Sequence, residues 1–495
     1  MVDREETNHC RPACTAYKDH LCQISKWLPN CNEVLLDIGM ELREQRRDSL
    51  SLVSFQPYEA DVVPPPGPAL NRATTFFRWL LRTHVCITGI ELIYKWVNVH
   101  TQAVLEELPE NSRLKKLKVY FSCQATMDTR ITTLLPRLHC LEELDCYMSN
   151  PTDALVTAVS SLLRNTTCLT SLEFHGVFEN GQPPKTFIDA LAANSTLKSF
   201  ELWANWNTNE PPGCLGEYVR NNRLLTKLTL FGEQTDREGL FLDEALYIRA
   251  TTVLRELRLC VTEPANAAST SWWALVLESI SANTSIGYIS ISSGDNLVCN
   301  GRLAITVGLS RYITRVFYIQ SRREWDPATF IIPLSDAIRD NYNLLQVDLC
   351  NAKVGAEATR CLFTIRETIR RNTCLLERAA AFNQTTALDR DTAAALEKVS
   401  RRPALVRELA EKEGIAPCEV ARMVRSRLRS VDGLHDYMRL TGVVKECVAC
   451  APPVEVGSTQ LHDLNTDCWR ALRRYLSFDD VTCFTVDRPD KLTPS

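Results

Sequence analysis

The segment Asn194–Leu202, NSTLKSFEL, decides the fold of this 495-residue chain. Its residues Leu197, Phe200 and Leu202 follow the order L-x-x-L-x-L, and the end of the segment alternates like a short β-strand with one apolar face. The preceding stretch KTFIDALAAN, residues 185–194, has the apolar spacing of a helix. Because one strand and one helix cannot bury both apolar faces alone, this unit must stack against others like it.

Copies of this segment recur along the chain. Their first apolar residues, the anchors, are Ile87, Leu114, Leu141, Leu169, Leu197, Leu225, Leu254, Ile286, Ile313, Leu344 and Leu375. Neighbouring anchors are separated by 27 residues at the shortest, from Ile87 to Leu114, and by 32 at the longest, from Leu254 to Ile286. This period predicts about eleven strand–helix repeats. An Asn that closes the helix and turns the chain is expected at Asn165, Asn194, Asn283, Asn341 and Asn372.

The pattern over residues 75–382 resembles the long, ribonuclease-inhibitor-like leucine-rich repeat, which also occurs in innate-immune nucleotide-binding receptors. The resemblance implies an α/β horseshoe with a parallel sheet on its concave side and helices outside. Residues 1–74 are then an N-terminal cap and Pro-rich linker, in which Leu50–Phe55 alternates like a capping strand. Residues 383–495 form a helical region, with helices predicted at Thr392–Ser400, Pro403–Glu413 and Pro417–Ser430.

Composition narrows the class of protein. The chain has 56 basic and 60 acidic residues, a net charge of -4, so it is not a polybasic nucleic-acid coat, and nucleic acid is not an expected partner. It has no apolar run long enough for a membrane span and no secretory leader, so we expect no membrane association and a cytoplasmic location, with the nucleus as an alternative. The 20 cysteines are then expected to be buried or free thiols.

The sequence offers no catalytic signature. A phosphate-binding loop, His-Glu-x-x-His and Gly-x-Ser-x-Gly are all absent, so we predict neither an enzyme nor a cofactor. An N-terminal group of possible zinc ligands contains His9, Cys10, Cys14, His20, Cys22 and Cys31. Only Cys10 and Cys14 have the short spacing of a zinc pair, and Cys447 with Cys450 is a single CxxC, so no metal site is predicted.

The expected concave face carries a column of rings beside a column of charges. The rings belong to Tyr120, Tyr147, His175, Trp203 and Phe231, and the carboxylates to Asp145, Glu173 and Glu201. Like charges on adjacent strands repel each other, and their presence is easier to explain if a basic partner meets them. Exposed aromatic rings flanked by acids favour a protein-binding surface. The alternative is that these are ordinary side chains of the concave face with no binding role, or that a loop covers them.

The segment LHDLNTDCWRALRRYLSFDDV, residues 461–481, has the spacing of an amphipathic helix followed by a turn. It resembles the first half of an F-box, the element through which ubiquitin-ligase receptors bind a cullin adaptor. The resemblance implies adaptor contacts at Leu464, Leu472, Tyr475 and Leu476. The alternative is a closing helix that docks on the preceding helices.

Three functions therefore follow from the sequence. The first is a non-catalytic scaffold or receptor that binds a protein partner, with a basic patch, on the concave face. The second is the substrate receptor of a cullin-type ubiquitin ligase. The third, implied only by the similar repeats of Ran GTPase-activating proteins, is a regulator of a small GTPase.

Overall fold

The structure is a computed structural model. It describes residues 14–16, 22–46, 49–54, 67–93, 113–121, 131–148, 151–176, 184–203, 218–219, 222–233, 242–262, 270–293, 297–320, 328–349, 355–384, 386–449 and 460–481. Residues 1–299 with 318–325 form one compact unit, and residues 300–317 with 326–495 form a second.

Strands and helices alternate through most of the chain. The strands are β1 (Met40–Arg46), β2 (Ser49–Ser54), β3 (Ile87–Ile93), β4 (Lys116–Phe121), β5 (Glu143–Met148), β6 (Ser171–His175), β7 (Ser199–Trp203), β8 (Lys227–Glu233), β9 (Glu256–Thr262), β10 (Tyr288–Ser293), β11 (Arg315–Gln320) and β12 (Gln346–Leu349). The helices are α1 (Leu28–Leu35), α2 (Gly67–Thr83), α3 (Asp153–Asn165), α4 (Lys185–Ala193), α5 (Leu242–Ala250), α6 (Thr270–Ala282), α7 (Leu297–Leu309), α8 (Ala328–Ala337), α9 (Ala356–Ala379), α10 (Arg390–Ser400), α11 (Pro403–Glu413), α12 (Pro417–Arg429), α13 (Leu434–Leu440) and α14 (Thr466–Arg473). The predicted α/β class is confirmed.

The twelve strands form one open sheet in which they follow each other in chain order. The pairs from β2–β3 to β9–β10 are parallel, whereas β1 runs antiparallel to β2. The sequence predicted the capping strand β2 but not its hairpin partner β1. No helix of the described residues is long and apolar enough to cross a membrane.

Alternating side chains give the sheet of the first unit two different faces. Leu172, Phe174, Phe200 and Leu202 are fully buried. The ring of Phe174 on β6 lies 5.5 Å from that of Phe187 on α4, so this face packs against the helices. The other face carries charged and aromatic side chains and is called the polar face below.

Buried asparagines connect successive repeats. The amide of Asn283 donates to the carbonyls of Ile248 (2.6 Å) and Thr251 (2.9 Å), and its oxygen accepts from the backbone N–H groups of Ser285 (2.7 Å) and Ile286 (2.8 Å). Asn194 and Asn341 make equivalent bonds. The side chain thus bonds to backbone carbonyls at the end of one helix and to backbone N–H groups just before the next strand.

Two of the predicted turn asparagines behave differently. Asn165 is the exposed last residue of α3, and Thr166 takes its place, with its Oγ1 accepting from the N–H of Cys168 at 3.2 Å. Asn372 lies inside α9, where its amide donates to the carbonyls of Asn341 and Leu344.

Ten of the eleven anchors lie at the start of a strand or two residues before it, but Leu375 does not. Leu375 belongs to α9 and packs with Ala379 against Leu396 and Leu405 of the following helices. The last copy therefore continues as a helix, because its apolar residues four positions apart are buried by α10 and α11 rather than by another repeat.

The C-terminal helices agree with the sequence prediction to within two residues. Thr392–Ser400 corresponds to α10, Pro403–Glu413 to α11 and Pro417–Ser430 to α12. Of the Pro-rich linker, Gly67 and Pro68 open α2, and residues 62–66 lie outside the described residues. Helix α2 therefore spans residues 74 and 75, the expected boundary between cap and repeats.

Candidate functional site

The register of the sheet places the predicted ring column on consecutive strands. Tyr120 pairs with Tyr147, Tyr147 with His175, His175 with Trp203, and Trp203 with Phe231. The rings of Tyr120 and Tyr147 stack at 5.9 Å, and that of Tyr147 lies 5.5 Å from His175. Tyr147 is 39% exposed. The side chains of Trp203 and Phe231 lie outside the described residues.

The charge column lies two residues earlier on the same strands, and two of its three carboxylates are buried. Asp145 is 4% exposed and Glu201 is 6% exposed. Lys118 lies 3.3 Å from Asp145, and Lys227 lies 3.8 Å from Glu173. The hydroxyl of Tyr120 also donates to Oδ2 of Asp145 at 2.7 Å. The repulsion expected from the sequence is therefore partly neutralised by lysines on β4 and β8.

The neutralisation is incomplete. Burial, and then the charges of Glu201 and Asp145, raise the pKa of Glu173 above its usual value, although Lys227 and Lys118 oppose the shift. Burial lowers the pKa of His175, so its imidazole is neutral at pH 7 and adds no positive charge, although it lies 3.8 Å from Glu201. The carboxylates of Asp145, Glu173 and Glu201 thus have Lys118 within their own column and Lys227 beside it.

Asp145, Glu173 and His175 bring ligand atoms within 4.8 Å of one another, a spacing that a metal ion could use. The ammonium group of Lys118 lies against Asp145, however, and supplies the positive charge there. We therefore interpret the group as part of the ion-pair network of the polar face.

Residues 461–481 dock on the C-terminal helices. Trp469 and Phe478 are buried with Tyr437 and Ala393, and the indole of Trp469 donates to the carbonyl of Asp432 at 2.7 Å. Arg473 donates to Glu397 at 3.1 Å, and Glu397 also accepts from the N–H of Phe478 at 3.0 Å. These buried charges are paired, as burial requires.

The four proposed adaptor positions are divided between surface and core. Leu472 is 45% exposed and Tyr475 is 86% exposed, whereas Leu464 is half-buried and Leu476 packs against the cluster around Tyr437. Helix α14 therefore docks through Trp469 and Arg473, and it turns Leu472 away from the protein.

The structure brings two of the N-terminal cysteines together with two residues that the sequence analysis did not select. Cys14, Cys22, His84 and Cys86 have their ligand atoms within 4.8 Å of one another. His9, Cys10 and His20 lie outside the described residues, and Cys31 is buried but does not belong to the group. The short spacing His84-x-Cys86 was the signal that could have found it.

The CxxC pair is described only in part. Cys447 is an exposed free thiol, and Cys450 lies outside the described residues.

Comparison with protein-family models gives no match for this chain, and no curated protein matches it in sequence. Its function is therefore inferred from the geometry of these sites.

Proposed function

We propose that this chain is a leucine-rich repeat protein of the ribonuclease-inhibitor-like type that binds a protein partner and catalyses no reaction. The binding surface is the polar face of the sheet, centred on the ring column and its carboxylates. Its support is a series of ten strands whose anchors recur every 27 to 32 residues, and whose parallel pairing puts equivalent side chains side by side.

The observation that carries this proposal is the exposed ring of Tyr147 beside a charge column with an excess of carboxylate. Its ring contacts Tyr120 on one side and His175 on the other. The side chain is therefore already ordered and loses little conformational entropy when a partner binds. Preorganised tyrosines are frequent energetic centres of protein interfaces.

The same column defines the chemistry of the partner. The raised pKa of Glu173 shows that its charged form is destabilised in the free protein. A Lys or Arg side chain of the partner placed over Glu173 would offset that cost through an ion pair. The partner is therefore expected to present a basic patch, and its binding to weaken as salt increases.

Proximity labelling in cells tests this function. The intact chain is compared with Tyr147→Ala, which removes an exposed ring, and with Trp203→Ala on the strand after next. Tyr475→Ala is the matched control, because it removes an even more exposed tyrosine from the C-terminal segment. We expect one set of partners to disappear in both polar-face variants and to persist in the control. An unchanged set in both polar-face variants would overturn the proposal.

The second candidate function is that of a cullin-type ubiquitin-ligase receptor, with residues 461–481 as an F-box-like adaptor site. It is favoured by the exposed apolar side chains of Leu472 and Tyr475, which the docking of α14 leaves at the surface. The closing-helix hypothesis is supported by the buried contacts of Trp469 and Phe478. The two are compatible for Leu472 and Tyr475, which stay at the surface, whereas Leu476 belongs to the docked cluster.

This candidate has its own test. Purification from cells should recover a cullin adaptor with the intact chain and lose it with the double variant Leu472→Ala/Tyr475→Ala. The control is Tyr147→Ala, which leaves the segment intact. Recovery of no adaptor with the intact chain would exclude the ligase function and leave the polar-face proposal untouched.

A further inference from the structure

The cluster of Cys14, Cys22, His84 and Cys86 has the dimensions of a tetrahedral metal site. Sγ of Cys22 lies 3.8 Å from Sγ of Cys14 and 3.4 Å from Nδ1 of His84. Sγ of Cys86 lies 3.8 Å from the same nitrogen. Bonds of about 2.3 Å to sulfur and about 2.0 Å to nitrogen in a tetrahedron separate neighbouring sulfurs by about 3.8 Å, and sulfur from nitrogen by about 3.5 Å.

The chemistry of the donor set narrows the choice of ion. Three thiols and one imidazole form a Cys₃His set, which is soft and four-coordinate and therefore suits zinc rather than magnesium or calcium. A disulfide does not account for the cluster, since Cys14, Cys22 and Cys86 are all free. Bonded sulfurs would lie about 2.05 Å apart, much closer than the 3.8 Å observed between Cys14 and Cys22.

The backbone around the ligands is well defined. Cys22 precedes a short 3-10 helix, Gln23–Trp27, and its carbonyl accepts from the N–H of Ser25 at 3.0 Å. His84 follows α2, and its N–H donates to the carbonyl of Leu80 at 2.8 Å. The ring of Trp79 meets that of His84 edge-on at 5.0 Å. Cys86 immediately precedes β3. Three of the four ligands are buried, so an ion there would be shielded from solvent.

The repeat itself marks His84 as unusual. It lies three residues before the anchor Ile87, as Asn283 lies before Ile286 and Asn341 before Leu344. In those repeats the buried amide bonds to backbone groups of two repeats. In the first copy the imidazole takes this position and points Nδ1 at the sulfurs of Cys22 and Cys86.

From this geometry we propose that Cys14, Cys22, His84 and Cys86 bind one structural zinc ion. The ion fastens the segment before the β1–β2 hairpin to the turn that joins α2 to β3. Terminal repeats of stacked folds need a closing element, and a metal that joins the cap to the first repeat supplies one. Because the ligands converge only in the folded chain, the free energy of zinc binding adds to the stability of this end of the protein.

The first test is metal content. The full-length chain is produced in zinc-supplemented medium, purified under a metal-free reductant and analysed by mass spectrometry of elements. About one zinc ion per chain is expected, falling to background in Cys22→Ser. Cys31→Ser is the matched control, since Cys31 is an equally buried cysteine of neighbouring α1. This variant should retain its zinc. Intact protein without zinc, or Cys22→Ser with a full complement, would overturn the proposal.

Two further measurements need no variant and remain informative if Cys22→Ser does not fold. Replacement of zinc by Co²⁺ in the intact chain should give the intense visible bands of tetrahedral cobalt with thiolate charge transfer. Alkylation mapped by peptide mass should then spare Cys14, Cys22 and Cys86 until a chelator is added, while exposed Cys140 and Cys418 react throughout. A weak octahedral cobalt spectrum, or a disulfide between Cys14 and Cys22, would contradict the site.

Discussion

At the scale of single residues, Asn283 is one of the buried asparagines that connect successive repeats. Its side chain is 3% exposed and makes four bonds to backbone groups. Asn283→Ala should lower the free energy of unfolding by about 2–4 kcal/mol, because buried carbonyl and N–H groups lose their partners. Chemical denaturation measures this. Asn165→Ala, at the exposed end of α3, should cost less than about 0.5 kcal/mol, and a similar loss in both variants would contradict the assignment.

The carboxylate of Glu173 gives a prediction that depends on pH. Its pKa is raised above the usual 4.5, so the folded state favours the neutral form. The stability contributed by that form is complete below pH 4.5 and is lost as the pH rises through the folded-state pKa. Glu173→Gln should therefore stabilise the protein by about 0.5 kcal/mol at pH 7 and have little effect below the usual pKa.

Denaturation curves of this variant over a range of pH provide the measurement. Glu142→Gln is the control, because Glu142 is exposed and lies 2.7 Å from Lys115 in a surface ion pair. Its substitution should change stability little at any pH. Destabilisation by Glu173→Gln at pH 7 would show that the lysines outweigh the neighbouring carboxylates.

The sequence was sufficient to predict the ring and charge columns. Alternate residues of a strand share a face, and the order of the repeats fixes which strands are neighbours. It did not predict that Asp145 and Glu201 would be covered, since burial depends on how the rest of the chain packs. Nor did it identify His84 and Cys86 as companions of Cys14 and Cys22. Cys22 and His84 are 62 positions apart in the sequence, and only the folded chain brings them together.

At the scale of elements, α8 packs directly against Gly308 of α7. A Cβ on Gly308 would lie 2.5 Å from Cβ of Ala337, whereas a Cβ on Gly301 in the same helix would meet nothing closer than 3.8 Å. Gly308→Ala should therefore cost about 1–3 kcal/mol by overpacking. Gly301→Ala should be neutral or stabilising by up to about 1 kcal/mol, since Ala favours the helix.

Thermal or chemical unfolding of these two variants measures the difference. They change the same residue type within one helix, and the contact with Ala337 is present at Gly308 and absent at Gly301. Equal effects would mean that α7 and α8 can separate without cost at Gly308.

Helices with strong sequence signals at their ends agree with the prediction. Elements with weak signals account for the differences between the prediction and the structure. Pro at the start and Gly at the end define α11, whose bounds agree with the prediction. The eleventh copy, from Asn372, has the spacing of a repeat but no strand, because a single Leu anchor cannot outweigh helical packing against α10 and α11. For β1, Met40–Arg46 alternates too weakly to be separated from a loop by sequence alone.

At the scale of the whole molecule, the period of the anchors was sufficient to predict an α/β fold with strands in chain order. Right-handed connections and short loops leave few other arrangements for strand–helix units that repeat every 27 to 32 residues. The two ends could not be predicted in the same way, because they do not repeat. The N-terminal hairpin and the docking of residues 460–481 depend on contacts that occur once in the chain.

The bridging asparagines have a practical consequence for truncation. Because Asn283 satisfies carbonyls of the preceding repeat, a fragment that stops at Ala282 leaves the carbonyls of Ile248 and Thr251 without it, whereas one that stops at Ile286 retains the bridge. The fragment of residues 1–286 should therefore resist proteolysis and heat better than that of residues 1–282, although they differ by only four residues. Each repeat is completed by the first residues of its successor, so a stable cut falls just after an anchor and not at the end of a helix.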